Sequence, residues 1–488
     1  EALQTWILQS DADDFVDATL RLDADDPVPV ELRLKGDWGD HFSGDKWSYR
    51  VETQAGASML GMRIFSLQDP STRAYLNEWL FMEHLHSEDL LGVRYSFVRG
   101  IQNGSPLGIY AVEEGFAKEL LESQGRREGV IIRYDEDLLW AYWAANENDP
   151  STPSGVDRFY LVDEFSSGQV NADPLLSAQR DVAVGKLRAW WQDALAFSEV
   201  FDRDSMARFW AIVDLWGADH ALMWHNLRYY YNPVTTLLEP IGFDAQPLAS
   251  GARVDPDDLP GRSAVLDTGD VELQRLYLKY LWEFSQSAYL ERLRSAYDPQ
   301  LQILQAALAP EFGDTTDADG QPVLASPWDI LSERQRALRE LLSPFQMTYA
   351  YRPSHHLGTM VDLEIGNLMG FPVQVVGLQV GDTFLPASTG WIRSTSPADW
   401  CANPYSAGEL VLPALSPEAA HMPYSRLTVD FDSDLLATPA FSSPVTLVTR
   451  LWGLTQTVTQ PVLSSYPQPG AGPMPPVPNL SETLARHP

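Results

Sequence analysis

Cysteine is nearly missing from this chain. Cys401 stands alone among 488 residues, so no disulfide can form within it, and the redox compartment is left open. Lysine is almost as scarce: Lys35, Lys46, Lys118, Lys186 and Lys279 are the only five, so chemistry that needs a lysine on a phosphate has few places to be. There is no internal repeat and no GxGxxG. No apolar run approaches the ~20 residues that cross a bilayer as a helix. Positive charge is short, with 34 basic against 67 acidic residues and a net charge of −33. That balance repels nucleic acid and anionic membrane surfaces and favours solubility, so no nucleic-acid partner is expected. The first residue is Glu1 rather than Met, and a signal peptide or membrane anchor outside the sequence is the expectation that follows.

What is present is apolar and aromatic. Hydrophobic residues make up 44% and Trp alone numbers sixteen, enough for two or three domains with cores of their own. The richest stretch runs from Asp204 to Asp244. Asp204 and Ser205 read as N-cap residues, and Phe209, Trp210, Val213 and Trp216 recur at helical spacing up to Gly217. Leu227–Tyr231 and Thr236–Phe243 then read as two strands around the Asn232-Pro233 turn, an antiparallel hairpin. Positions whose numbers sum to about 470 lie opposite each other there, roughly 5 Å apart. Asn226 and Asp244 meet at the open end, with Asp219 and His220 just upstream. An Asp, an Asn and an Asp so placed can hold Mg²⁺ and orient a hydroxyl, as in protein kinases. Taken singly, each is also a common turn cap.

Earlier in the chain, Val28–Leu34 alternates as a strand and leads through Lys35-Gly36-Asp37-Trp38-Gly39-Asp40 to a second strand, Lys46–Val51. Two strands joined by a Gly-containing loop can cover a nucleotide; they also describe an ordinary hairpin with solvated Lys46 and Arg50. Ser71–His86 reads as an amphipathic helix with Tyr75, Leu76, Trp79, Leu80, Met82 and Leu85 inward and Glu78 and Glu83 on its solvated side. Tyr95–Ile101 and Gly108–Glu113 flank the Asn103-Gly104 hairpin turn. Glu114 follows, either capping the next helix or facing a cleft. Val130–Tyr134 is a short strand, and the Asp135–Asp173 region is rich in loops. Helices are expected over Ser177–Phe201, Val271–Tyr297, Pro299–Leu308 and Ile330–Leu342. Asp314–Gly320 lacks the closing Glu of a calcium loop and reads as a polar turn. Beyond Tyr349, Val361–Leu368, Val373–Val380, Leu427–Phe431 and Val445–Leu454 form a β-sandwich-like pattern. His355, His356 and His421 lack ligand spacing, and Tyr466–Pro478 is a Pro-rich tail.

Across roughly residues 28–345 these blocks together resemble the CotH (spore coat protein H) family of atypical protein kinases. LRLKGDW at Leu32–Trp38 is similar to the Arg-Gly-Asn-Ser loop of that family, and KWSYRVE at Lys46–Glu52 to its Lys-x-Ser-Tyr-Lys strand. DPSTRAYLNEWL at Asp69–Leu80 matches its Arg-x-x-x-x-Glu helix. NGSPLGIYAVEE at Asn103–Glu114 matches the Asn-Gly hairpin that ends in Glu. Asp219–Asn226 resembles the catalytic loop, and PIGFDAQ at Pro240–Gln246 the Pro-x-x-Trp-Asp-x-Asp block. The chain departs from the pattern at three places. Lys35 replaces Arg, Asp37-Trp38 replaces Asn-Ser, and Gln246 stands where a second Asp is common, an exchange that lowers metal affinity or leaves one Mg²⁺ rather than two.

The resemblance implies an α+β chain with a two-lobed atypical-kinase-like fold: a β-rich N-lobe over 1–135 and a mainly helical C-lobe over 136–345. A small all-β domain over 346–465 and the tail 466–488 follow. It implies transfer of the γ-phosphate of ATP to Ser or Thr of a protein substrate, with Mg²⁺ or Mn²⁺, in an extracellular, periplasmic or cell-surface setting. By position Asp219 is the catalytic Asp, and Asn226 and Asp244 are the metal ligands. Lys35, Lys46 or Arg50 meets the phosphates, and Glu114 faces the nucleotide or pairs with one of those bases. Two other readings stay open. One is a catalytically inactive kinase-shaped structural or adhesion protein, with the β module as a docking element. The other is the same fold moving AMP or ligating glutamate.

Overall fold

A computed structural model describes residues 7–8, 14–36, 38–42, 44, 46–54, 56–145, 161–249, 251, 253–254, 259–342, 348–351, 356–357, 360–387, 391–394, 409–414, 424–430 and 445–463. The chain is mixed α+β: an antiparallel sheet comes first, a largely helical middle follows, and the end is all β. It divides into two compact units. One comprises 1–253, 260–273 and 283–336; the other comprises 254–259, 274–282 and 337–488. Most of residues 1–345 falls in the first unit, while 254–259, 274–282 and 337–345 group with the β module.

Seven strands open the first unit: β1 (Val16–Leu20), β2 (Val28–Leu34), β3 (Tyr49–Thr53), β4 (Ile64–Gln68), β5 (Leu91–Gly92), β6 (Tyr95–Gln102) and β7 (Ser105–Glu114). Six of them form one sheet in the order β1-β2-β3-β4-β7-β6. The Asn103-Gly104 turn joins β6 to β7 as expected, with both residues at positive φ (52° and 83°), as a tight hairpin turn requires. Because side chains alternate across a strand, the register sorts this sheet into two faces. Val30, Val51, Phe65 and Val112 lie on one and form a core with Met62. The other face carries a transverse row, Arg33–Arg50–Ser66–Glu113–Tyr95, each residue directly opposite the next.

The expected Ser71–His86 helix is in two pieces. Asp69 caps a short 3-10 turn over Pro70–Arg73, and Ala74 and Tyr75, at φ of 51° and 53°, interrupt it before the helix proper begins at Leu76 and runs to Ser87. That helix is buried on nearly every side rather than on a stripe, and Glu78, expected in solvent, is fully buried. In its core His84 Nδ1 accepts from Trp216 Nε1 at 2.8 Å, which leaves Nε2 to donate to Tyr289 Oη at 2.6 Å; Tyr289 in turn donates to Glu88 at 2.7 Å. Burial holds His84 neutral, with its pKa pulled down to about 3.

The unfolded chain binds a proton near pH 6.5 that the folded chain refuses, so this stabilisation is complete above that pH and is lost as pH falls towards 3. The wild type is expected to lose about 1.4 kcal/mol per pH unit more than a His84→Gln variant in that window. Urea unfolding at pH 7.0 and 4.5 reads it: the gap between the two proteins narrows by roughly 3 kcal/mol, and an unchanged gap would show that His84 is not held neutral.

A second sheet, in the order β5-β11-β10-β8-β9, completes the first unit's β structure with β8 (Ile131–Tyr134), β9 (Val162–Glu164), β10 (Arg228–Tyr231) and β11 (Leu238–Gly242). Helices cover Pro174–Trp191, Phe197–Val200 and Arg203–Trp216. Asp173 and Pro174 start the first of these three residues earlier than expected, as an N-cap Asp followed by Pro at the first helical position does. Ser287–Phe312 is one helix with Pro299 and Pro310 inside it; the break falls at Ser285–Gln286 instead, where Gln335 Nε2 takes the carbonyls of Phe284 and Gln286. Asp314–Gly320 is a turn closed on the Asp317 carboxylate.

The second unit is a sandwich of two sheets. Thr348–Tyr351, Met360–Asn367, Tyr424–Asp430 and Trp391–Ser394 make one sheet; Thr383–Pro386, Val373–Val380, Val445–Leu451 and Thr457–Pro461 make the other. Leu363 and Ile365 from the first meet Val375, Leu378 and Leu447 from the second in a common core. Cys401, His355, His421 and the 466–488 tail lie outside the described residues. Among the described residues no helix is long and apolar enough to cross a membrane.

Candidate functional site

The site starts at the Arg203–Trp216 helix. Asp202, not Asp204, is its N-cap, accepting from Ser205 N at 2.8 Å, and Gly217 ends it in the left-handed conformation. Its last carbonyls are clamped by Arg334, which donates to Leu215 O at 2.8 Å and Asp214 O at 3.0 Å and also reaches the carbonyls of Gly251 and Arg253. Two short 3-10 turns, Asp219–Leu222 and Trp224–Asn226, follow before β10.

The hairpin forms as expected. β10 and β11 pair antiparallel with Arg228 opposite Ile241 and Tyr231 opposite Leu238, so paired numbers sum to 469 rather than 470. Continued outward, that register sets Asn226 against Phe243, and the ladder stops before either. Asn226 and Asp244 meet through His220 instead. His220 Nδ1 donates to the Asp244 carbonyl at 2.7 Å and stands 3.4 Å from its carboxylate, while the Asn226 amide donates to the His220 carbonyl at 3.0 Å. The Asn226 amide nitrogen is thereby pinned and its oxygen accepts no hydrogen bond among the described residues. Asp219 is exposed, one residue from His220, and likewise makes no hydrogen bond or ion pair among them.

Asp244 is 8% exposed and adopts φ 46°. Its Oδ1 is buried and receives no directed hydrogen bond, although Arg73 Nε lies 3.2 Å away. Burial works against its charge, but Arg73 first, then His220 and Lys35, hold the carboxyl far below the usual range. Burial likewise opposes a proton on His220, and the Asp244 carboxylate overrides it to raise His220 above its ordinary value. Glu78 receives the backbone N–H groups of Ala245 and Gln246, each at 3.1 Å, and so braces the turn after β11. Burial and the nearby Asp244 charge push Glu78 up to about 8.

On the opposite wall Lys35 Nζ donates to Glu113 at 2.6 Å and to Gln68 at 2.7 Å. Arg73 Nε links Glu113, at 3.2 Å, to Asp244. Charges therefore alternate along a buried line: Lys35, Glu113, Arg73, Asp244, His220. Burial alone would raise Glu113; Lys35 and Arg73 hold it below its usual value instead. The loop that follows Lys35 is tied down as well. Gly36, at φ 99°, lies so close to the His41 ring that no Cβ fits; His41 meets Ser48 Oγ at 2.9 Å, and Trp38 packs on Trp140 and Trp143.

Of the residues expected from sequence, Lys35, Asn226 and Asp244 are brought into this cluster, and Asp219 sits at its edge. Lys46 is not: it pairs with Asp69 at 3.2 Å and with Glu311 and donates to Ile109 O. Glu114 is not either. It stands opposite Phe65, on the apolar side of the first sheet, and pairs with Arg94; strand alternation puts Glu113, one residue earlier, where the base is. Arg50 remains in the row beside Glu113, with Ser66 between them. Arg73, Glu113 and Gln68 carry roles that sequence reading gave to none of them singly.

Among the described residues no group of three or more His, Cys, Asp or Glu is placed to hold a metal ion. A divalent cation here would have Asp244 and the Asn226 amide oxygen, with its other oxygens coming from water and a ligand. That donor set suits Mg²⁺, which needs only one or two protein groups beside phosphate, and Asp244 Oδ1, ion-paired with Arg73 but receiving no directed hydrogen bond, keeps acceptor capacity for such a use. No protein-family model matches the chain, and no curated protein matches it.

Proposed function

We propose that the chain is a metal-dependent phosphotransferase that moves the γ-phosphate of ATP to a Ser or Thr hydroxyl of a protein, in an extracellular or periplasmic setting. The observation that carries the reading is the delivery of the Asn226 amide and the Asp244 carboxylate onto one His220, with the exposed carboxylate of Asp219 on the adjoining residue. In this reading Asp219 takes the proton of the acceptor hydroxyl as its oxygen bonds to phosphorus, and the bond to the bridging oxygen of ADP breaks. Asn226 and Asp244 would hold Mg²⁺ or Mn²⁺, which when bound supplies charge neutralisation at the transferred group. Lys35, tied to Glu113, fixes the wall against which Arg73 and Asp244 sit. The C-terminal sandwich is read as a docking module for the protein substrate.

A second reading, a kinase-shaped scaffold without turnover, is favoured by one feature: Lys35 and Lys46 are both already engaged by internal carboxylates. Two measurements separate them. ATP with Mg²⁺ or Mn²⁺ is expected to raise the melting temperature and ATP with a chelator is not. Intact-mass spectrometry after incubation with Mg-ATP and a protein acceptor is expected to find added phosphate. Added AMP or glutamate would keep the fold and change the chemistry. No shift and no modification would leave the scaffold.

A further inference from the structure

The two nitrogens of the His220 ring have different surroundings. Nδ1 lies 2.7 Å from the Asp244 carbonyl, 3.4 Å from the Asp244 carboxylate and 3.0 Å from the Asn226 amide nitrogen. A carbonyl oxygen only accepts, so Nδ1 carries the proton, and the Asn226 amide gives its own N–H to the His220 carbonyl instead. That hydrogen bond fixes the tautomer and leaves the ring's lone pair on Nε2. Nε2 makes no hydrogen bond among the described residues. The His220 side chain is 28% exposed, against 11% for the Asp244 side chain behind it.

A buried carboxylate, an imidazole oriented by it and an outward nitrogen with a lone pair are the parts that activate a nucleophile. Such a ring commonly takes its proton from a neighbouring hydroxyl or thiol. Here no Ser, Thr or Cys side chain hydrogen-bonds to the ring among the described residues, so the reactive atom it presents is its own Nε2. Arg73, 3.2 Å from Asp244, keeps that carboxylate ionised in the interior. A carboxylate so placed stabilises the positive charge that an imidazole gains on bonding through Nε2. His225, the other histidine of the loop, is set differently: its ring centre stands 6.2 Å from that of His220, and its Nδ1 is buried without a hydrogen bond.

We propose that His220 Nε2 is a phosphate-accepting site within the chain, taking the γ-phosphate of ATP when no hydroxyl acceptor is docked. The inference rests on the phosphotransferase reading and adds a second acceptor to it. The Nε2 lone pair bonds to the γ-phosphorus, the bond from phosphorus to the oxygen that bridges to ADP breaks, and ADP leaves with that electron pair. Nδ1 keeps its proton throughout. Water later attacks the same phosphorus and gives a proton to Asp219, and the electron pair of the P–N bond returns to Nε2.

The test is intact-mass spectrometry of the full chain after incubation with Mg-ATP and no protein acceptor, in the wild type, His220→Asn and His225→Gln. Because Asp244 raises the His220 pKa, the incubation is run at mildly alkaline pH, where Nε2 keeps its lone pair. Phosphate on a histidine nitrogen is lost in acid and survives base, whereas phosphate on Ser or Thr survives acid. The wild type is expected to gain one acid-labile phosphate, and alkaline peptide mapping to place it on His220. Asn keeps a donor near the place of Nδ1 and has nothing at Nε2, so His220→Asn is expected to lose the label entirely, while His225→Gln keeps it. Melting without ligand reports whether each variant folds, and the wild-type map locates the label without any variant. A label on another residue, or none in a wild type that phosphorylates a protein acceptor, overturns the site and leaves the phosphotransferase reading standing. A His220 label with no protein acceptor ever modified keeps the site and removes transfer to Ser or Thr. Neither label nor transfer removes both.

Discussion

Asp244→Asn is expected to abolish phosphoryl transfer, with kcat lower by about 10³-fold or more, a loss of ~4 kcal/mol of transition-state stabilisation. The substitution is chosen for the backbone. Asp244 sits at φ 46°, and Asn tolerates the left-handed region where Ala is strained. The turn braced by Glu78 through Ala245 N and Gln246 N therefore persists while the negative charge goes. Two readouts should move together: turnover with Mg-ATP, and the metal-dependent part of the thermal shift that ATP produces. The melting temperature without nucleotide reports the cost of leaving Arg73 with Glu113 as its one ion pair among the described residues. Turnover within tenfold of wild type would remove Asp244 from the chemistry.

Arg73→Met is expected to carry a large stability cost. Its guanidinium joins two carboxylates with side chains only 3% and 11% exposed, Glu113 and Asp244. Removing one member of a buried charged set strands the others, typically at about 3–5 kcal/mol, whereas removing matched partners together costs far less. Urea unfolding at pH 7 should show that loss for Arg73→Met and a smaller one for the double variant Arg73→Met/Asp244→Asn, since Lys35 still holds Glu113 and neutralising Asp244 removes the charge that Arg73 leaves behind. Equal losses in the single and double variants would mean that the line of charges is not coupled through Arg73.

Both variants test residues whose legibility in the sequence differs, and the difference is physical. The hairpin around Asn232-Pro233 was readable because its strands and turn are local, and the pairing came within one position of the expected sum. The meeting of Asn226 with Asp244 was readable to the same extent. That it passes through His220 was not, because the ladder ends and two 3-10 turns intervene. Glu113 is the instructive case. Alternation along Val28–Leu34 puts Arg33 and Lys35 on one face, but which carboxylate of β7 shares it depends on β7 pairing with β4 in one register, Ser66 opposite Glu113. A slip of one residue would have presented Glu114 instead. Arg73 entered the sequence reading only as the Arg of the Arg-x-x-x-x-Glu block; its place beside Glu113 and Asp244 was hidden by a break in the helical pattern at Ala74 and Tyr75, both at positive φ, which detaches it from the helix that the apolar spacing describes. Glu78 looked solvated because the helix reads as amphipathic, whereas packing from every side makes that face an interior.

The clamp of Arg334 on the carbonyls of Asp214 and Leu215 has a consequence for biosynthesis. The loop bearing Asp219, His220 and Asn226 hangs from a helix end held by a residue more than a hundred positions downstream. A ribosome that has made everything up to Asp244 has supplied Asp219, His220, Asn226 and Asp244 without the residue that fastens the helix end before them. That hold on the helix end therefore comes late in synthesis, with the last long helix of the first unit, and a protein cut short before residue 334 would lack it.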